Sequence, residues 1–143
     1  MNVRSILEHK GRTVATIRPE AGIEEAVALL RHRGIGALVV SRDGTIVEGI
    51  LSERDIVRAL GEWGFDIGGM RVATLMSRDV VTCTEADSIV DLAGLMTERR
   101  IRHLPVIERG ALVGIVSIGD VVKSRISEVE SEVEAVKELI AHA

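Results

Sequence analysis

Aromatic side chains are nearly missing from this chain of 143 residues: Trp63 and Phe65 stand alone, and there is no tyrosine. A surface so poor in rings offers no stacking platform for nucleic-acid bases. A basic excess is missing too. The formal net charge is −4, the wrong sign for a footprint on a phosphate backbone, so no nucleic-acid partner is expected. The single cysteine, Cys83, cannot form an internal disulfide, which fits a reducing compartment. No apolar run approaches the ~18 residues needed to cross a bilayer, and Met1–Lys10 lacks the apolar core of a signal peptide. No membrane partner is expected, and the expected location is cytoplasmic. His9, His32, His103 and His142 are scattered singly, without metal-ligand spacing. Neither a Walker loop nor a Gly-x-Gly-x-x-Gly element occurs. No catalytic residue and no metal site are expected; Cys83 falls in a predicted strand with no motif partner to activate it, as a small buried hydrophobe does.

What the chain does have is a core and a duplication. Apolar residues make up 46% of it and prolines number two, the composition of a folded chain with room for one domain or two fused half-size units. Val14–Gly44 aligns with Val80–Gly110 at a constant offset. After a one-residue gap, Gly49-Ile50-Leu51-Ser52-Glu53-Arg54-Asp55 meets Gly114-Ile115-Val116-Ser117-Ile118-Gly119-Asp120. A repeat of this size does not bury its apolar face alone, so the copies are expected to pack together around a crevice.

Each repeat shows the same periodicities. Val14–Ile17 and Val80–Cys83 read as short strands. Ile23, Ala26, Val27 and Leu30, matched by Ile89, Leu92, Ala93 and Met96, form the buried stripe of a helix, with Ser88 as a cap and Gly34 as a stop. Ile35–Ser41 and Thr45–Leu51 flank Asp43-Gly44, a hairpin signal. Leu104–Ile107 and Ala111–Val116 flank Arg109-Gly110, a weaker one. A further helix starts at Ser52 and at Ser117. The fold class is α+β: two β-α-β-β-α repeats packed as a pseudo-two-fold pair. Pro105 donates no ladder hydrogen bond, so its strand is expected at an edge, either lining a cleft or simply short. Helical lead-ins (Val3, Ile6, Leu7; Val72, Leu75, Met76) precede the repeats. The glycine-rich Gly61–Gly69 is read as a linker, with Trp63 and Phe65 plugging gaps. The divisions are 1–63, 70–124, and a C-terminal amphipathic helix at 125–143. In that helix Ile126, Val129, Val133, Val136 and Ile140 form a coiled-coil seam. It folds back on its own domain or, the preferred alternative, makes a dimer contact.

Ser-x-x-Asp at a strand end is a capping-box variant in its structural reading. The same geometry also suits a nucleotide-ribose clamp. Unpaired amides at a helix start attract anions, and an ionised Asp only accepts hydrogen bonds, as the paired hydroxyls of a ribose require.

These elements, with Arg102-His103-Leu104-Pro105-Val106 and Gly114-Ile115-Val116-Ser117-Ile118-Gly119-Asp120, resemble a tandem pair of cystathionine-β-synthase (CBS) domains of the stand-alone kind. The resemblance covers nearly the whole chain. It implies a regulatory module that binds adenosine-containing ligands (AMP, ADP, ATP, NAD or S-adenosylmethionine) in two clefts, and a homodimer signalling to an unidentified effector protein. Carried over by position, Asp55 and Asp120 hold ribose hydroxyls, and Ser52 and Ser117 lie near sugar or phosphate. Thr16, Ile17, Thr82 and Cys83 bracket adenine, with Ile17 equally readable as core. Ala37 and His103 face the cleft from matching positions, and Pro105 and Gly119 lie beside them. Arg54, Arg58, Arg102 and His103 are candidate phosphate contacts, because a guanidinium grips phosphate oxygens through parallel donors; Arg58, Arg99 and Arg100 also read as a solvated face. Related pairs sit inside enzymes such as inosine-monophosphate dehydrogenase, but the repeats leave no room for a catalytic barrel. The other reading is a scaffold with vestigial clefts that assembles through its helices.

Overall fold

A computed structural model describes residues 1–142. In chain order the elements are α1 (Val3–Lys10), β1 (Thr16–Ile17), α2 (Ile23–Arg33), β2 (Ala37–Val40), β3 (Gly49–Ser52), α3 (Glu53–Trp63), a 3-10 turn (Gly64–Gly69), α4 (Val72–Leu75), α5 (Ile89–Arg99), β4 (His103–Glu108), β5 (Ala111–Ser117) and α6 (Ile118–Ala141). Acidic Glu24 and Glu25 open α2 and Arg31, His32 and Arg33 close it, in the sense of the helix dipole. Gly34 then stops it in the left-handed region. Ser88 caps α5 by accepting from the Asp91 amide at 3.1 Å. α2 packs inward through Ile23, Ala26 and Leu30, while Val27, expected in the same stripe, is 42% exposed. It sits on the margin of a face that three residues already fill.

The two repeats build unequal sheets. In repeat one, β1 pairs parallel with β2, and β2 antiparallel with β3. In repeat two only β4 and β5 form a sheet. The strand expected over Val80–Cys83 is reduced to a single parallel bridge, Cys83 to Val106. Pro105 is the reason. At its equivalent, Val39, the backbone amide donates to the Ala15 carbonyl at 3.2 Å, and a proline has no amide to give. The next bond survives in both halves: Ser41 N to the Ile17 carbonyl at 2.9 Å, and Ile107 N to the Cys83 carbonyl at 2.8 Å. β4 is thus an edge strand beyond that single bridge.

The turns reverse their expected strengths. Arg109-Gly110 is the tight one, joining β4 to β5 directly with φ of 52° and 79°, positive at both central residues as a type I′ hairpin requires. Asp43-Gly44 instead lies in a longer loop between β2 and β3. There the Asp43 carboxylate accepts from the Thr45 and Ile46 amides at 2.8 and 2.9 Å, a local side-chain turn that competes with the two-residue hairpin.

The lead-in helices are exchanged. Val3, Ile6 and Leu7 of α1 enter the core of repeat two, with Leu92, Met96, Leu104 and Val116. Val72 of α4 and the following Met76 enter the core of repeat one, with Ile23, Leu38 and Leu51. Two matched glycines make room. A Cβ on Gly114 would stand 2.7 Å from Leu7 Cδ2, and one on Gly49 would stand 2.7 Å from Met76 Sδ and 2.9 Å from the Ser77 carbonyl. The glycine that heads each Gly-Ile-x-Ser element is therefore a packing position for the other repeat's lead-in. Of the linker, Ile67 is buried in repeat one, whereas Trp63 and Phe65, expected to plug gaps, are exposed. The helix begun at Ser117 and the terminal helix are one continuous α6.

Candidate functional site

Two clefts related by the internal pseudo-symmetry lie between the repeats. Cleft one, a cavity of about 550 Å³, is walled by the start of α3 and by Asp79–Val81 and Arg100–His103 of repeat two. Cleft two, about 460 Å³, is walled by Thr13–Ala15, Gly34–Ala37, Ile115 and Ser117. Both volumes fall in the range of small-molecule sites.

At the mouth of each cleft a strand runs into a helix through a complete capping box. Ser52 N donates to Asp55 Oδ2 at 2.9 Å, and the Asp55 amide donates back to Ser52 Oγ at 3.3 Å. Ser117 N donates to Asp120 Oδ2 at 2.9 Å, and the Asp120 amide to Ser117 Oγ at 3.1 Å. Among the described residues, every hydrogen bond to either carboxylate falls on Oδ2. The capping and clamp readings are thus compatible: one oxygen closes the box and Oδ1 stays free to accept.

The clefts differ in charge. Cleft one carries Arg54, Arg58, Arg100 and Arg102, against Glu53, Asp55 and Asp79. Arg54 Nη1 crosses between the repeats to the Arg100 carbonyl at 3.4 Å. Cleft two carries Lys10 and Arg33. Lys10 Nζ donates to Asp120 Oδ2 at 2.7 Å and to the Ile115 carbonyl at 3.0 Å. In cleft one the carbonyl of the equivalent Ile50 accepts the Ser77 amide at 2.9 Å, and Ile50 donates to the Ser77 carbonyl at 3.0 Å. A lysine side chain therefore does in one half what backbone does in the other. Burial pushes the Asp120 carboxyl up, but the Lys10 hydrogen bond and the Ser117 amide outweigh it and hold the group below the usual aspartate value.

His103 lines both clefts. Gly36 leaves the space it occupies, since a Cβ there would stand 3.2 Å from His103 Cε1. Burial lowers the imidazole pKa, helped by Lys10 and Arg102 and opposed by Glu53 and Asp120. The ring is thereby kept neutral near pH 7, with one nitrogen to donate and one to accept.

Of the residues singled out in the sequence, Ser52, Arg54, Asp55, Arg58, Arg100, Arg102 and His103 come together on cleft one. Ala37, His103 and Ser117 line cleft two, with Asp120 joined to it through Lys10. The others lie elsewhere. Ile17 and Cys83 are in the two cores, and Pro105 is buried within β4. Thr16 lines an outer groove beside α2, Thr82 is exposed, and Gly119 lies on an outer apolar face with Val122 and Ile126. Burial of the Cys83 thiol pushes its pKa up to about 12. The opening segments pass the clefts earlier, at Thr13–Ala15 and Asp79–Val81, and reach the sheet only at Ile17 and Cys83. Sequence reasoning missed these segments and Lys10. The signal for the segments was the first strand's own β register, which buries Ile17 against repeat one; for Lys10 there was none.

Two pseudo-symmetric α+β repeats with a capped carboxylate at each of two shared clefts define a paired-repeat ligand-binding module. The CBS domain family matches this chain twice, over residues 3–62 and 72–127, and the chain belongs to that family. It is 35% identical over 114 residues to the CBS domain-containing protein YhcV of Bacillus subtilis, covering 80% of each chain. Its fold superposes on a CBS-domain-containing protein of Agrobacterium tumefaciens with a TM-score of 0.84 and 43% identity, covering 87% of this chain and 99% of that one. The CBS domain pair of protein MJ0100, solved in complex with 5′-methylthioadenosine and S-adenosyl-L-methionine, superposes with a TM-score of 0.78 and 25% identity, covering 90% and 98%. No helix among the described residues is long and apolar enough to cross a membrane.

Proposed function

We propose that this chain is a non-catalytic sensor of cellular energy or redox state, working in the cytoplasm as a homodimer, whose clefts bind adenosine-containing ligands such as AMP, ADP, ATP, NAD or S-adenosylmethionine. The observation that carries the reading is the pair of capping boxes at ligand-sized clefts, each with a carboxylate oxygen left over for a ribose. In this reading Asp55 holds the ribose hydroxyls in cleft one, Val80 and Val81 flank the base, and Arg54, Arg58 and Arg102 take the phosphates. A ligand held by both repeats shifts their relative orientation by its differential affinity for the two arrangements, and an effector protein reads the shift.

Calorimetric titration and thermal unfolding with millimolar nucleotides test it. A ligand selective for the native state raises the melting temperature by mass action. Asp55→Asn is expected to weaken binding at cleft one by about tenfold, the worth of a charge-assisted hydrogen bond. If no adenosyl ligand raises the melting temperature, the scaffold reading replaces this one. The Lys10–Asp120 contact favours a second reading for cleft two alone, in which that cleft is vestigial and the stoichiometry is one ligand per chain.

A further inference from the structure

α6 runs on past the packed body of the molecule. From Val129 to His142 every residue of α6 and its cap is exposed, and the helix touches the body only through its first half. Yet an apolar line continues along it. Val122, Ile126, Val129, Val133, Val136 and Ile140 are between 42% and 71% exposed. A helical stretch of this length is marginal in water by itself, and apolar residues at alternating spacings of four and three form a coiled-coil seam.

The charges beside the seam identify the occupant and its direction. Ile126, Val133 and Ile140 take the a positions and Val122, Val129 and Val136 the d positions, which puts Arg125 and Glu132 at g and Glu130 and Lys137 at e. In a parallel, in-register pair each g residue meets the e residue five positions on in the second copy. Arg125 then faces Glu130 of the second copy, and Glu132 faces Lys137 of the second copy; symmetry repeats both attractions. With the same seam fully overlapped in antiparallel fashion, Glu130 faces Glu130, Glu132 faces Glu132, and Lys123 faces Lys137. Arg125 already holds Glu128 of its own helix at 2.9 Å, a partly buried contact on the body side that leaves the guanidinium's other donors for a second carboxylate.

We infer that Val122–Ile140 of α6 pairs side by side, parallel and in register, with the same segment of a second copy of this chain. This rests on the homodimer part of the proposed function and is independent of the ligand. The pairing sets the two Ile140 residues side by side and joins the bodies through helices that continue directly from Asp120 at cleft two.

The test is sedimentation equilibrium on the full chain, with three variants. Val133→Glu places two carboxylates in the seam and is expected to raise the dimer dissociation constant more than tenfold. Val133 touches neither core, so unchanged thermal unfolding of the body provides the folding control. Glu132→Lys is expected to weaken the dimer, and Glu132→Lys with Lys137→Glu to restore it. Ile140→Cys is expected to cross-link with copper-phenanthroline as oxidant, while the buried Cys83 does not compete. A dimer that survives Val133→Glu keeps the homodimer and overturns this interface. Failure of both charge rescue and cross-linking overturns the parallel direction. A chain that stays monomeric at high micromolar concentration overturns the pairing and the homodimer together, leaving the ligand reading intact.

Discussion

Lys10 is the side chain that makes the two clefts unlike. Its ammonium ties Asp120 to the Ile115 carbonyl, whereas in the other half the matching Ile50 carbonyl is taken by the Ser77 amide and, among the described residues, no cation reaches Asp55. A carboxyl held below its ordinary value contributes stability above the unfolded pKa of about 3.9, and that contribution is lost as pH falls through the lowered folded value. Replacing Lys10 by methionine removes the strongest opposing influence and leaves burial to push Asp120 up. The expected result is an upward shift of the Asp120 carboxyl titration, followed by carbon NMR. Unfolding in acid should begin at higher pH, with a loss of about 1 kcal/mol or less near neutrality because the pair is partly exposed. An unmoved Asp120 titration would show that the contact has no energetic weight.

Helix ends show how the repeats diverged. α2 stops at Gly34 and α5 at the matching Arg100, both in the left-handed region, with φ of 62° and 55°. Glycine adopts that conformation freely, whereas a residue with a Cβ is strained by about 1 kcal/mol. Arg100→Gly is therefore expected to raise the melting temperature by roughly 3 °C. It keeps the carbonyl that accepts Arg54 and removes a guanidinium from cleft one, so phosphate-bearing ligands should bind more weakly to the more stable protein. Calorimetry beside a thermal melt separates the two effects. Elements of this kind were largely legible in the sequence because each appears twice: the stripe of Ile89, Leu92 and Met96 confirms that of Ile23, Ala26 and Leu30. Where the copies differ, periodicity misled. Val80–Cys83 has the composition of a strand, and only the missing amide of Pro105, on a neighbouring segment, undoes it. Thr16 and Thr82 lie off the clefts because alternation assigns a face and not the point where a segment meets its sheet.

At the scale of the molecule, the two capping boxes and the positions of Asp55 and His103 were readable, since a motif at a strand-to-helix junction carries its own geometry. Which core each lead-in helix enters was not readable: Val3, Ile6 and Leu7 announce a buried face without naming the surface that buries it. The exchange makes the repeats mutually dependent. A chain divided within Gly64–Gly69 is expected to give halves that lack cooperative melting alone and regain it on mixing, as circular dichroism of the separate and combined fragments would report. Independent sharp transitions in both halves would contradict the exchanged cores.

Biosynthesis meets the same exchange in time. α1 leaves the ribosome before either repeat, and its amides are destined for the carbonyls of Glu85 and Asp87. Repeat one waits likewise for Val72 and Met76. The nascent chain therefore carries greasy, unsheathed helix faces until repeat two has been translated, and a premature stop within repeat two releases a product suited to chaperone capture or proteolysis rather than a working half-module.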